Sequence, residues 1–209
     1  PIDCGIFLPK SPIVSDIIAM WYILSLHKSP ISSLLQYKLI ASLMLALLKE
    51  KYKLGGNIIV PAVSWSTTYF PVYQYGFQLN FVDVNKDTLN IDVDKVEAAI
   101  DAETCAIFAV NLLGNSCDYK RLNEIAEKHG LMLIEDNCES LGAINTDSDM
   151  YTGTIGHMGS FSFFFSHHLQ TMEGGMIVCQ NGEDADYLRS LRAHGWCRDL
   201  PDNSKIYQK

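Results

Sequence analysis

The chain has 209 residues, of which 48% are hydrophobic and 19% are charged, as is typical of a globular protein with a substantial core. Its net charge of -8 at pH 7 argues against binding to nucleic acid, because affinity for the phosphate backbone comes mainly from clustered lysine and arginine. The six cysteines form no C-x-C or C-x-x-C pair, so neither a structural zinc site nor a disulfide framework is predicted, and a reducing, cytoplasmic setting is favoured.

The most apolar stretches are residues 17–26 and 39–48. Both are shorter than the ~20 residues that a helix needs to cross a bilayer. We therefore predict two buried helices and no membrane association. The first residues show no charged region followed by an apolar segment and a cleavage site, so secretion is not expected.

From residue 34 onward, the pattern predicts helices alternating with short apolar strands. The predicted helices cover residues 34–54, 66–76, 92–100, 118–129 and 183–194. The predicted strands cover residues 57–61, 78–84, 105–111, 131–135, 161–165 and 175–179. Asp118 is the expected N-cap of its helix, and Gly130 the residue that ends it. This alternation predicts an α/β fold with a mainly parallel sheet sandwiched by helices.

Asp136 directly follows the predicted strand 131–135. In open α/β sheets, ligands bind beyond the carboxyl ends of the strands, which makes this carboxylate the first candidate for a functional residue. Taken alone, an aspartate at this place would more often cap a following helix, here the one expected after Ser140.

Four segments resemble the DegT/StrS-like nucleotide-sugar aminotransferase family of fold type I pyridoxal phosphate (PLP) enzymes. They are VPAVSWSTTY at residues 60–69, LIEDNCES at 133–140, SHHLQTMEGG at 166–175 and RAHGW at 192–196. The family has a lysine at the position of His167, where it forms a Schiff base with PLP. This chain has no lysine between Lys128 and Lys205, so the resemblance implies a cofactor that is held non-covalently here.

The same resemblance implies the cofactor contacts. Asp136 would bind the protonated pyridine nitrogen, Trp65 would stack on the ring, and Ser162 would bind the phosphate. Glu139 would lie near the phenolic oxygen, where many members have Gln or His. For Trp65, a place in the hydrophobic core is an equally weighted alternative, and Ser162 could be no more than a polar residue of its strand.

The histidine variant of the segment resembles the 3-dehydratases of nucleotide-linked 4-keto-6-deoxysugars, which serve deoxysugar and lipopolysaccharide O-antigen synthesis. In this subgroup, His167 would remove a proton from the C4′ carbon of pyridoxamine phosphate (PMP), formed with an amino donor such as glutamate, and the C3 hydroxyl would leave as water. GDP-sugars are favoured, because the related CDP-sugar enzymes bind an iron–sulfur cluster through a C-x-C step that is missing here. An aminotransferase that recruits another lysine and a non-catalytic fragment stay open as alternatives.

Two further expectations concern neighbouring residues. If the segment is extended, His168 would point away from the site. Glu173 closes the segment, and Gly174 and Gly175 would allow a positive φ or a close backbone approach.

The N-terminal part departs from the family, which has a Gly/Ser-rich phosphate-binding turn where this chain has Lys-Leu-Ile-Ala-Ser at residues 38–42. We therefore interpret residues 1–42 as divergent or read in a shifted frame and residues 43–200 as the PLP-binding large domain. Residues 201–209 would begin a linker to a smaller C-terminal domain that the chain lacks. The resemblance also implies a homodimer.

Overall fold

The computed structural model describes residues 17–20, 31–172, 174–198 and 200–207. Its helices are α1 (Ile31–Glu50), α2 (Ser66–Gln74), α3 (Val93–Ala99), α4 (Tyr119–His129) and α5 (Gly182–Arg192). Its strands are β1 (Ile17–Met20), β2 (Asn57–Pro61), β3 (Gln78–Val82), β4 (Thr104–Val110), β5 (Met132–Asp136), β6 (Ile144–Asn145), β7 (Met150–Tyr151), β8 (Met158–Ser162) and β9 (Gly175–Cys179).

Seven of the strands form one sheet in the order β1-β9-β8-β5-β4-β2-β3. The strands from β3 to β8 in this order pair in parallel, and β9 and β1 extend the sheet in antiparallel pairing. The predicted α/β fold with a mainly parallel sheet is therefore confirmed. Strands β6 and β7 form a separate short hairpin.

Helices cover both faces of the sheet. Since successive residues of a strand point to opposite faces, alternate residues of one strand pack against different helices. On β4, Ala106 and Phe108 belong to the core that includes residues of α1, α2 and α5. The alternate residues Ile107 and Ala109 belong to the second core, with residues of α3 and α4. All four side chains are fully buried, as expected for a strand at the centre of a three-layer fold.

Helix α1 is a central helix of the domain. From residue 40 to residue 48 its side chains are almost entirely buried, and Met44, Leu45, Leu47 and Leu48 are 0% exposed. It contacts α2, α5, β8 and β9. A helix that is apolar on every side is stable only when other elements surround it, which explains why α1 packs against the sheet and against α2 and α5. The predicted boundary between residues 42 and 43 falls within this helix.

Helix ends follow the local signals in the sequence. Asp118 is the N-cap of α4, where its carboxylate accepts a hydrogen bond from Arg121 N at 3.1 Å, and Gly130 ends the helix in the left-handed conformation with φ 66°. Both predictions are confirmed. Asp92 and Asn181 cap α3 and α5 in the same way.

Two predictions about elements were wrong. Residues 17–20 form strand β1 and not a helix, because they pair with β9 of the sheet, a long-range contact that no local pattern reveals. Residues 21–26 of the same predicted helix lie outside the described part. Strand β8 covers Met158–Ser162 and not 161–165, since an unbroken apolar run does not define where pairing stops. Among the described residues, no helix has the length and apolar character needed to cross a membrane.

Candidate active site

Asp136 is the last residue of β5 and is 4% exposed. Its side chain points to the same face as Ile134, toward α2. There Thr68 Oγ1 donates to Asp136 Oδ2 at 2.9 Å, and the backbone N of Cys138 donates to Oδ1 at 3.2 Å. The carboxylate is thus fixed at the carboxyl edge of the sheet, where a ligand is expected. Thr68 was not foreseen, although a hydroxyl in the first turn of the helix after β2 is the signal that could have indicated it.

Trp65 immediately precedes α2 and is 71% exposed. The alternative that placed this tryptophan in the hydrophobic core was therefore wrong. Because Thr68 lies one helical turn further on and binds Asp136, the start of α2 lies close to the end of β5. An exposed indole beside a fixed carboxylate presents a flat apolar face on which an aromatic ring can stack.

Ser162 ends β8, the strand adjacent to β5, and is 5% exposed. Asp136 pairs with Ser160 in this ladder, so Ser162 lies two residues beyond the aspartate at the same edge of the sheet. Its hydroxyl oxygen accepts a hydrogen bond from Phe164 N at 3.3 Å. The hydroxyl proton can therefore still be donated to an anionic group.

His167 lies in a turn after β8, where its backbone N donates to Phe164 O at 3.0 Å. The imidazole is half-buried, with its ring centroid 6.3 Å from that of Phe164. It lines a pocket together with Leu113, Glu139, Ser166 and His168. The expectation that His168 points away assumed an extended segment, and this condition is not met, because the residues here form a turn in which side chains do not alternate.

The charge state of His167 follows from its surroundings. Burial, the largest influence, lowers the pKa of the imidazole below its usual value, and the neighbouring His168 lowers it further. Glu139 and Asp136 act in the opposite direction and raise it in part. The net effect is a lowered pKa, so the ring is neutral at pH 7 and able to accept a proton.

Glu139 is half-buried in the same pocket, and its Oε2 accepts a hydrogen bond from Leu113 N at 2.7 Å. The carboxylate therefore holds the turn at residues 112–114, which follows β4. Leu113 was missed by the sequence reasoning, since only the adjacent Gly114 suggests a turn there. Whether Glu139 also lies near a phenolic oxygen stays a prediction.

The close approach predicted at the end of the histidine segment is confirmed. Gly174 has φ 155°, and a Cβ atom on Gly175 would lie 1.5 Å from Ile40 Cδ1 and 2.8 Å from Phe161 O. Ile40 itself is 3% exposed within α1, so residues 38–42 form continuous helix beside β9, with no phosphate-binding turn there. Glu173 lies outside the described residues.

Comparison with known protein families shows which family this chain belongs to. The family model described as the DegT/DnrJ/EryC1/StrS aminotransferase family matches residues 40–208. The chain belongs to this family. Its match begins inside α1 and covers all the site residues described above.

Known members of the DegT/DnrJ/EryC1/StrS family include close relatives of the chain. It is 52% identical over 158 residues to GDP-4-keto-6-deoxy-D-mannose 3-dehydratase of Yersinia pseudotuberculosis, an alignment that covers 76% of this chain and 40% of that enzyme. A crystal structure of GDP-4-keto-6-deoxymannose-3-dehydratase with a trapped PLP-glutamate geminal diamine matches with TM-score 0.76 and 44% identity, over 82% of this chain and 45% of the other. A mutant of such an enzyme with bound GDP-perosamine matches with TM-score 0.75 and 45% identity, over 81% and 44%. The chain thus spans less than half the length of these relatives.

The residues at the carboxyl edge fit the ring of a pyridoxal-type cofactor. A buried, hydrogen-bonded carboxylate suits a protonated pyridine nitrogen, and the exposed indole of Trp65 suits the ring face. At the phosphate end, Ser162 offers a hydroxyl, whereas residues 38–42 offer only helix. That His167 takes the place of the family's cofactor-binding lysine stays a prediction from the sequence resemblance.

Proposed function

We propose that this chain carries the cofactor-binding large domain of a 3-dehydratase that removes water from a GDP-linked 4-keto-6-deoxyhexose. The observation that carries the proposal is His167, a half-buried imidazole that shares a pocket with Glu139 and whose pKa is lowered by burial, against the opposing influence of the Glu139 and Asp136 carboxylates. The identity to dehydratases of this class supports the same activity. On this basis residues 43–200 form the functional unit.

The cofactor is PMP or PLP, held without a covalent bond. When bound, it supplies an amine that condenses with the C4 ketone of the sugar and a ring that takes up an electron pair. Asp136 keeps the ring nitrogen protonated, Trp65 covers one ring face and excludes water from it, and Ser162 donates to the phosphate. The carboxylate of Asp136 is prepared for this task by its hydrogen bonds from Thr68 Oγ1 and Cys138 N.

His167 performs the proton transfer. Its neutral imidazole accepts the proton at the C4′ carbon, and the imidazolium then protonates the C3 hydroxyl, which leaves as water. A lysine at 167 would return the cofactor to its covalent state and favour amination. Histidine lacks that route, and dehydration is the outcome that remains.

The proposed partners are a GDP-sugar, an amino donor such as glutamate and a second copy of the chain. The crystal structures of relatives with bound GDP-perosamine and with a PLP-glutamate adduct support the first two. An exposed apolar face around α2 supports the third, since large side chains that stay exposed in one copy gain by association.

The test is turnover by the purified protein. His167→Asn is expected to keep the visible absorbance of bound cofactor and to lose dehydration of GDP-4-keto-6-deoxymannose by at least about 100-fold, the usual contribution of a general base. His194→Asn is the matched control, because His194 is exposed and has φ 59°, a conformation that asparagine adopts readily. Full turnover in His167→Asn would refute the assignment.

Borohydride reduction separates the alternatives. The dehydratase is expected to show no pyridoxyl adduct by intact-mass analysis. An adduct on a lysine would instead identify an aminotransferase that recruits that lysine from elsewhere. Binding of PMP and GDP-sugar without any turnover would identify a non-catalytic protein.

A further inference from the structure

Leu113 combines two features that are unusual for a leucine. It adopts left-handed backbone angles, φ 54° and ψ 25°, which side chains with a Cβ atom disfavour. Its side chain is also 75% exposed, although apolar side chains of this size gain by burial. Neither feature stabilises the domain by itself. Together they place an apolar group on the wall of the pocket that also contains His167.

Polar side chains hold this turn from two sides. Glu139 Oε2 accepts from Leu113 N at 2.7 Å, and Asn90 Oδ1 accepts from Leu112 N at 3.2 Å. Asn90 is 4% exposed and its Nδ2 donates to Asn115 O at 3.0 Å, so the support is itself fixed. The turn is therefore built to present Leu113 in one conformation.

We propose that Leu113 is the residue that selects the 6-deoxy sugar, by packing against the C6 methyl group, and that Glu139 is a positioning residue that acts through the Leu113 turn. This inference rests on the proposed function. The substrate class carries its methyl group on C5, next to the C4 carbon that reacts near His167, so a neighbouring wall of the same pocket is within its reach. A methyl group gains by contact with the leucine side chain, whereas a C6 hydroxyl held against Leu113 would lose water on that side, because the leucine side chain offers it no hydrogen bond.

Two stable probes test the selection without any turnover: GDP-6-deoxymannose and GDP-mannose, which differ only in the C6 hydroxyl. Calorimetry is expected to show tighter binding of the 6-deoxy probe by about 10- to 100-fold, the range for a hydroxyl placed against apolar groups. Leu113→Asn is expected to reduce this ratio to about 1, since asparagine tolerates left-handed angles and keeps the turn. Binding of GDP alone should stay unchanged.

Matched variants separate positioning from direct contact. Leu113→Met keeps an apolar side chain and should keep the preference even if Leu113→Asn folds poorly. Glu139→Gln retains an oxygen that can accept from Leu113 N and should keep it as well, whereas Glu139→Ala should lose it. In turnover of GDP-4-keto-6-deoxymannose, Leu113→Asn should raise KM more than it lowers kcat, because the methyl contact exists before and during the reaction.

An unchanged probe ratio in Leu113→Asn would overturn the proposal. So would a change in oligomeric state with the ratio intact, which would mean that a second copy covers Leu113. A protein that prefers the 6-deoxy probe but dehydrates nothing would contradict the proposed function and leave this inference standing. A protein that dehydrates the substrate but binds both probes equally would support the proposed function and overturn this inference.

Discussion

Two neighbouring threonines in the first turn of α2 differ in their hydrogen bonding. Thr67 and Thr68 are both buried, at 3% and 1% exposure. Thr68 Oγ1 donates to Asp136, while Thr67 Oγ1 has no hydrogen-bond partner among the described residues. The pair therefore separates the effect of a hydroxyl from the effect of its hydrogen bond.

Thr68→Val is expected to lower the free energy of unfolding by about 1.5–3 kcal/mol, the range for a hydrogen bond to a charged group, and to weaken cofactor binding. Thr67→Val keeps the same β-branched shape and should not lower stability, because its buried hydroxyl is already unpaired and its removal relieves a desolvation cost of about 1–3 kcal/mol. Urea denaturation and cofactor absorbance measure the two effects. Equal losses in both variants would contradict the role given to Thr68.

The pH behaviour of His167 is set by its neighbours. His168 lowers the pKa of the His167 imidazole, so His168→Asn should raise that pKa. A higher pH is then needed to obtain the neutral ring, and the acid limb of the kcat/KM profile moves to higher pH. NMR titration of the His167 ring measures the same shift without turnover. A shift to lower pH would show that His168 does not act through its charge.

At single positions, the sequence indicated candidate functional residues but not their conformation. Asp136 could be found because a charged residue follows an apolar strand at a place where ligands bind. The exposure of Trp65 could not, since an aromatic residue before a helix is compatible with core and surface alike. The left-handed angles of Leu113 depend on Glu139, which is distant in sequence.

At the scale of elements, the loop between β7 and β8 is held by a buried acid. Glu135 Oε1 accepts from Ile155 N at 2.7 Å and from Gly156 N at 2.6 Å, and Oε2 accepts from Gly153 N at 2.6 Å. Burial raises the pKa of Glu135, and these hydrogen bonds oppose that rise. Glu135 thus fixes the loop that leads into β8 and, beyond it, into the histidine segment.

Gly153→Ala is expected to disturb this loop. The glycine has φ 87°, and an added Cβ atom would lie 2.2 Å from Phe161 Cζ. Gly142→Ala is the matched control, since Gly142 has φ 83° but no described atom within 4 Å of the added carbon. The control should lose about 1–2 kcal/mol of stability through backbone strain, and Gly153→Ala about 1–3 kcal/mol more through overpacking. Equal losses in urea denaturation would mean that the loop adapts.

Elements whose ends are marked by local sequence signals were well predicted. The strands at 57–61 and 175–179 agree with β2 and β9, because glycine or polar residues border them. The ends of β8 depend on its ladder with β9, and β1 exists only through pairing with the same strand. Local patterns contain no information about such partners.

At the scale of the whole molecule, the described surface includes an apolar region around α2, here called the α2 face. It consists of residues on α2, on the loop before it and on the edge strand β3: Val63, Trp65, Phe70, Tyr73 and Phe81, each at least 49% exposed. Such a surface on a folded domain is typical of a protein interface.

Tyr73→Lys, at a residue that is 75% exposed, is therefore expected to convert a dimer into a monomer in sedimentation velocity runs. A charge at the centre of an apolar contact would lose its hydration without a partner. Ile144→Lys is the control, because Ile144 is 47% exposed on β6, away from this face. A dimer that survives Tyr73→Lys would place the interface elsewhere.

The architecture as a whole could be predicted because alternating helices and apolar strands allow few arrangements. The strand order could not, nor could the antiparallel extension by β9 and β1, since both depend on pairing between distant segments.

The histidine segment connects two strands that pair directly with each other, β8 and β9. Its ends are fastened to each other, since Phe163 N donates to Gly174 O at 2.9 Å and Thr171 N donates to Phe163 O at 3.0 Å. Side chains at the tip of this connection can change while the ladder below stays intact. Under the proposed function, a substitution at position 167 would therefore exchange one reaction for another at little cost in folding, which would make this hairpin a place where new enzymes can evolve from an old scaffold.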